Sequence, residues 1–190
     1  IPMCGVPVRS VHGYIARLLE KGHKVAICEQ VENPAEAKGL VKREVVRVIT
    51  PGMILENEYL DAASNNYVLA LARNRGSWGL AYLDLSTGTF RLTESENATV
   101  VAEEALRVAP SEVVLPASAG GDEDLQRFAE MFNGGSRTYL EDRAFEPEAA
   151  HRLLTDQFGT RSLEGFGCDD LKAGVGAAGA RSEERRVGKE

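Results

Sequence analysis

Asp84 is the residue of this chain best placed for chemistry. It stands near the end of a strand-like run, Trp78 to Leu85, and Ser86-Thr87-Gly88 after it reads as a tight turn. A carboxylate there suits the first ligand of a hydrolytic centre in which several acids hold two metal ions. Partners for it are hard to place. Glu103 and Glu104 lie on a helix rich in surface charge, and Asp122, Glu123 and Asp124 open another helix, where the dipole favours acids. The preferred role for Asp84 is to cap its own turn. His12, His23 and His151 lack the HxxxH or HxxE spacing of a metal site. Cys4, Cys28 and Cys168 form no CxxC pair, so neither a zinc site nor a disulfide framework is expected. Cys28, among apolar strand neighbours, reads as an inert buried thiol. No GxxxxGK[ST] phosphate loop occurs. No catalytic, metal-ligating or cofactor-binding residue is therefore expected.

A second kind of chemistry is binding to phosphate. Arg9 precedes the first expected helix, whose N-terminal amides suit an anion. Lys38, Lys42 and Arg43 cluster around a glycine-containing loop. Residues 1–56 carry eight Lys/Arg against six Asp/Glu, while residues 57–180 carry ten against twenty. Nucleic-acid binding depends on neutralising phosphates, so any such contact belongs to the first portion. The acidic portion suits protein partners better. A local net charge of only +2 leaves a plain solvated face as the competing reading.

These side chains need elements to hold them. At 43% hydrophobic residues, 190 residues can fill the cores of one or two domains. No apolar stretch approaches the roughly 20 residues needed to cross a bilayer. The chain opens without Met or a signal-like start, and reads as an internal fragment from a reducing cytosol. Ser10 is expected to cap a helix whose apolar face is Val11, Tyr14, Ile15, Leu18 and Leu19, ended by Gly22. Strands follow at Lys24–Glu29 and Glu44–Thr50, with a short helix from Asn33-Pro34 to Lys38 between them. Residues 57–64 read as a linker.

From Asn65 the pattern is three meandering strands (Tyr67–Ala72, Trp78–Leu85, Thr89–Thr93). They are followed by a helix capped by Asn97, a strand at Glu112–Leu115, a helix from Asp122, a strand at Arg137–Leu140 and a helix from Pro147. Helical crossovers make the later strands parallel additions. The expectation is an α/β chain, and the order resembles the ribonuclease-H-like architecture. Gly174–Gly179 reads as a loop or as a small-residue helix packed closely on a neighbour. Residues 181–190 read as a disordered, artefactual tail.

The blocks IPMCGVP, GYIARLLEKGHKVAICEQVENP and KGLVKREVVRVITPG resemble the mismatch-recognition domain of the MutS family of bacterial DNA mismatch repair proteins. YLDLSTGTFRLTE, PSEVVLP and LTDQFGTRSLEGFG resemble the family's connector domain. The likeness covers about residues 1–180. It implies a partial mixed α+β recognition domain at 1–56, a linker at 57–64 and a truncated ribonuclease-H-like connector at 65–180. It also implies binding of mismatched or looped-out DNA, contact with MutL through the connector, a homodimer, and a cytoplasmic, nucleoid-associated location.

ATP and magnesium would belong to a C-terminal domain beyond this sequence, so the fragment is expected to be no enzyme. The family's Phe-x-Glu wedge lies upstream of Ile1, and Val8-Arg9 stands where many relatives have Tyr-His. The DNA-binding candidates are Met3, Arg9, Gln30, Lys38, Lys42 and Arg43. Mismatched steps bend easily, so they can be sensed through deformation while such residues hold the flanking backbone. The alternatives are a ribonuclease-H-like nuclease using Asp84, and a pure protein-interaction module.

Overall fold

The computed structural model describes residues 6–33, 39–53, 66–84, 86–132 and 136–187. The chain opens with a 3-10 turn, Val8–Ser10, followed by helix α1 (Val11–Glu20). Ser10 occupies the N-cap, but its side chain accepts no capping bond. Its φ of −102° and ψ of −5° are helical, whereas a side chain that caps needs an extended backbone. The chain enters the helix through a Ser10 N–H bond to Pro7 O instead. At the other end Gly22 takes φ 76°, and the bonds Gly22 N–Leu19 O and His23 N–Leu18 O form a Schellman motif.

Strands β1 (Val25–Gln30) and β2 (Arg43–Ile49) form an antiparallel hairpin with an irregularity between Ile27 and Cys28. Alternation turns Val25 and Ile27 toward α1, where they pack with Ile15, Leu19 and Ile49. Tyr14 and Leu18, expected on the buried stripe, are exposed, because two strands are too narrow to cover it. Cys28 is likewise exposed, not buried. It shares the outer sheet face with Ala26, Val45 and Val48, its cross-strand partners or their neighbours. The expected helix beyond Asn33, from Pro34 to Lys38, and the whole 57–64 linker lie outside the described residues.

The second unit is a five-stranded sheet ordered β5-β4-β3-β6-β7. Strands β3 (Tyr67–Asn74), β4 (Ser77–Asp84) and β5 (Thr89–Ser95) form the antiparallel meander. The β3–β4 turn needs positive φ at both central residues, taken by Arg75 at 47° and Gly76 at 96°. Helix α2 (Ala98–Val108) leads to β6 (Glu112–Pro116), and α3 (Glu123–Glu130) leads to β7 (Ser136–Leu140). Both later strands run parallel, β6 to β3 and β7 to β6. Helices α4 (Pro147–Phe158) and α5 (Lys172–Val187) complete the chain.

Strand alternation divides the core into two layers. Leu69, Leu71, Leu80, Val113 and Leu115 meet α2 and α3 on one face. Val68, Ala70, Ala72, Ala81 and Val114 meet α4 and α5 on the other. The second layer is thin because both sides are small. A Cβ on Gly79 would lie 2.0 Å from the Ala173 carbonyl carbon, and one on Gly179 would lie 2.2 Å from the Ala150 Cβ. The Gly174–Gly179 stretch is thus the closely packed helix, not the loop. Helix α5 runs on to Val187 with Arg181 fully buried, so residues 181–187 are not a disordered tail. No described helix is long and apolar enough to cross a membrane.

Candidate nucleic-acid interface and the chemistry it displaces

Three of the six binding candidates come together at the loop end of the β1–β2 hairpin. Gln30 ends β1, Arg43 begins β2, and the two pair directly across the strands. Lys42 precedes Arg43, and the Lys42 carbonyl accepts from Val31 N, which closes the ladder beyond Gln30. All three side chains are outward or only partly covered. Arg9 is also exposed, at the entrance of α1. Arg9 and the Gln30–Arg43 pair thus stand on the ends of their elements away from the Gly22 turn. Met3 and Lys38 lie outside the described residues.

The charge at this tip is tempered. Lys42 Nζ is 2.5 Å from Glu44 Oε1, and the hydrogen bond and charge of that carboxylate raise the ammonium pKa. Glu32 Oε2 accepts from the Lys42 amide at 3.1 Å. Arg43 Nη1 donates to the Val41 carbonyl at 3.4 Å. A phosphate arriving here meets Arg43 directly and must compete with Glu44 for Lys42.

Three of the carboxylates weighed for metal chemistry, Asp84, Glu104 and Asp122, hold local structure instead. Asp84 is fully buried, and its Oδ1 accepts from Ser86 N at 2.9 Å and Ser86 Oγ at 2.6 Å. Its carbonyl accepts from Gly88 N at 2.9 Å, so Asp84 holds the turn that starts β5. Burial pushes its pKa up, but the bonds from Ser86, then Thr87, outweigh this and hold it below the ordinary value.

Glu104 is held by Arg107 at 2.5 Å and by the Tyr82 hydroxyl at 3.4 Å. Asp122 caps α3 through the amides of Asp124 and Leu125 and pairs with Arg73, which also lies 4.7 Å over the Trp78 ring. Tyr67 pairs with Asp84 and Arg73 with Trp78, so Arg73, the residue that holds Asp122, sits six rungs from Asp84 along the ladder. At about 3.4 Å per residue that backbone separation is roughly 20 Å, so Asp122 is held by the opposite end of β3 from the one that pairs with Asp84. Among the described residues no group of three His, Cys, Asp or Glu could hold a metal ion.

Two clusters escaped the sequence reading. His151 Nε2 lies 2.9 Å from Asp169 Oδ1, which also accepts from Leu163 N at 2.8 Å. The His151 bond, then the Leu163 amide, lower the Asp169 pKa, and the pair ties α4 to the segment before α5. The other cluster surrounds Glu112. Its carboxylate is fully buried and accepts from Thr50 Oγ1 at 2.6 Å, from Gly52 N at 3.1 Å and from the Thr138 hydroxyl. A glutamate opening an otherwise apolar strand, after a Thr-Pro-Gly block upstream, was the available signal.

Residues 1–58 match the family described as MutS domain I, and residues 66–181 match MutS domain II. The DNA mismatch repair protein MutS of Desulfosudis oleivorans is 56% identical over 180 residues, covering 95% of this chain and 20% of that protein. The protein of the same name from Desulforapulum autotrophicum is 50% identical over 185 residues, covering 95% and 21%. That of Symbiobacterium thermophilum is 43% identical over 183 residues, with the same coverage. The chain spans about one fifth of the length of these relatives.

Proposed function

Because the chain belongs to the MutS family, we propose that it is the DNA-facing scaffold and connector of a mismatch-binding repair protein. The observation that carries this reading is the convergence of Gln30, Lys42 and Arg43 on one exposed hairpin end, within the portion matched to domain I. In this reading these residues, with Arg9, Met3 and Lys38, hold the backbone on either side of a mismatched or looped-out base. Backbone contacts position a protein without reading sequence, which suits a sensor that must work at any sequence.

The chain itself performs no catalysis in this reading. ATP and magnesium serve a part of the protein outside this sequence, which also makes the homodimer. The location is the bacterial cytoplasm, at the nucleoid. MutL is the partner of the acidic second unit. An aromatic run supports such a contact: half-buried Phe90 and exposed Phe158 and Phe166 stand 6.3 and 5.2 Å apart, centroid to centroid, beside a groove of about 540 Å³ at the β5 edge.

The test is charge reversal in a protein that also carries the rest of the family's domains. Arg9→Glu and Arg43→Glu should weaken binding to mismatched duplex and flatten its salt dependence, by about one unit of log–log slope per lost phosphate contact. Arg161→Glu, on the second unit, should change neither. Unchanged binding in the first two variants would remove them from the interface. Capture of MutL by residues 57–180, lost in Phe166→Ser, tests the partner assignment. Capture by residues 1–56 alone would overturn it.

A further inference from the structure

We propose that Glu112 is a positioning residue, the fixed point on which the hairpin pivots against the five-stranded sheet. The carboxylate belongs to the sheet, at the first residue of β6, and is fully buried. A buried carboxylate is tolerable only if its oxygens are met by donors, and among the described residues no ion pair reaches Glu112. Two of its three donors come from the hairpin unit: the Thr50 hydroxyl and the Gly52 amide, in the turn just after β2. The third, Thr138 on β7, itself accepts from Lys24 Nζ at 2.7 Å, just before β1. The hairpin unit therefore reaches one carboxylate by two routes.

The geometry leaves little slack. A Cβ on Gly52 would lie 2.1 Å from Val68 Cγ2 and 2.9 Å from Glu112 Oε2, so only glycine lets this amide approach. Asn66 Nδ2 holds the same turn through Pro51 O at 2.8 Å. Val25 and Ile49 pair across the hairpin, so Lys24 and Thr50 mark one end of it. Gln30 and Arg43 mark the other, six residues or roughly 20 Å away.

The hairpin is thus an arm anchored at its base to β6 and β7, with the candidate binding residues at its tip. Separating base from sheet strips the carboxylate of two donors at once, so the anchored state is strongly preferred. Displacement of the tip is delivered to β6 and β7 through Glu112. The meaning of this for mismatch sensing rests on the function proposed above, but the anchoring does not, and it can be tested without DNA.

Spin labels at Lys21→Cys and Arg127→Cys, with Cys4, Cys28 and Cys168 replaced by alanine, report the distance between the two units in this chain. The parent should give one narrow distribution. Thr50→Val and Thr138→Val keep side-chain shape but remove the hydroxyl, and should widen it at least two-fold at unchanged circular dichroism. Thr50→Ser and Thr138→Ser should restore it. Lys24→Met, on the surface and harmless to folding, should widen it to a smaller degree and is read in any case if a valine variant fails to fold. A broad parent distribution, or a narrow one in the folded valine variants or in Lys24→Met, would overturn the proposal.

Discussion

The hairpin unit and the five-stranded sheet both rest on antiparallel strand pairs but reach very different degrees of closure. The sheet is covered on both faces, and Leu69, Leu71, Leu80, Val113 and Val114 are all fully buried. The hairpin is covered on one face only, by α1, around a core of Ile15, Leu19 and Ile49. On its other face Val45 is 57% and Val48 49% exposed. A two-stranded sheet is marginal in water by itself, whereas a sheet of three or more strands packed on helices stands alone. The lesson is that one unit holds its shape through its own core, while the other is held largely by what it is attached to.

The largest effect should follow from opening the closed unit. Leu80→Ala deletes a fully buried side chain between the sheet and α2, and should cost about 3–4 kcal/mol. The readout is the urea midpoint followed by fluorescence of Trp78, the chain's one tryptophan, buried in that unit. Next, Leu19→Ala should cost about 2–3 kcal/mol locally. Amide exchange across β1 and β2 should accelerate while the Trp78 transition stays in place. If the Trp78 midpoint moved as far as it does in Leu80→Ala, the two units would be one cooperative body, with no difference in how each holds its shape.

Smaller changes sharpen the contrast. Asp122→Ala removes the cap of α3 and should cost about 1 kcal/mol in the Trp78 transition. Asp84 titrates below its ordinary value in the folded chain. Its contribution is therefore present above the unfolded carboxylate pKa of about 4 and lost as pH falls through the folded value. Urea midpoints measured between pH 6 and pH 3 should decline, and less steeply in Asp84→Asn. Val48→Thr, on the uncovered hairpin face, should shift amide exchange by no more than about 0.5 kcal/mol.

Elements with a strong local signal were legible in the sequence. Gly22 ends α1, Asn97 caps α2 through the Thr99 amide, and the helix-separated strands join the sheet in parallel. The expected strands stopped at Glu29 and began at Glu44, one residue short of Gln30 and Arg43, whose pairing across the hairpin only the structure gives. Cys28 was misread because an apolar neighbourhood in sequence says nothing about which face lacks a cover. Residues 181–187 were misread because their charge suggests solvent, whereas α5 carries Arg181 into the interior.

The sequence alone determined the family, the order of elements and the small-residue composition of α5, because these depend on local pattern and residue size. Only the tertiary structure decided what the carboxylates do. Asp84, Asp122 and Glu104 look alike as candidate acids, and became a turn cap, a helix cap and a surface ion pair through neighbours near and far in the chain. Glu112 looked like an ordinary strand residue. Its donors lie 62, 60 and 26 residues away, and folding must bring them together before its burial can be tolerated.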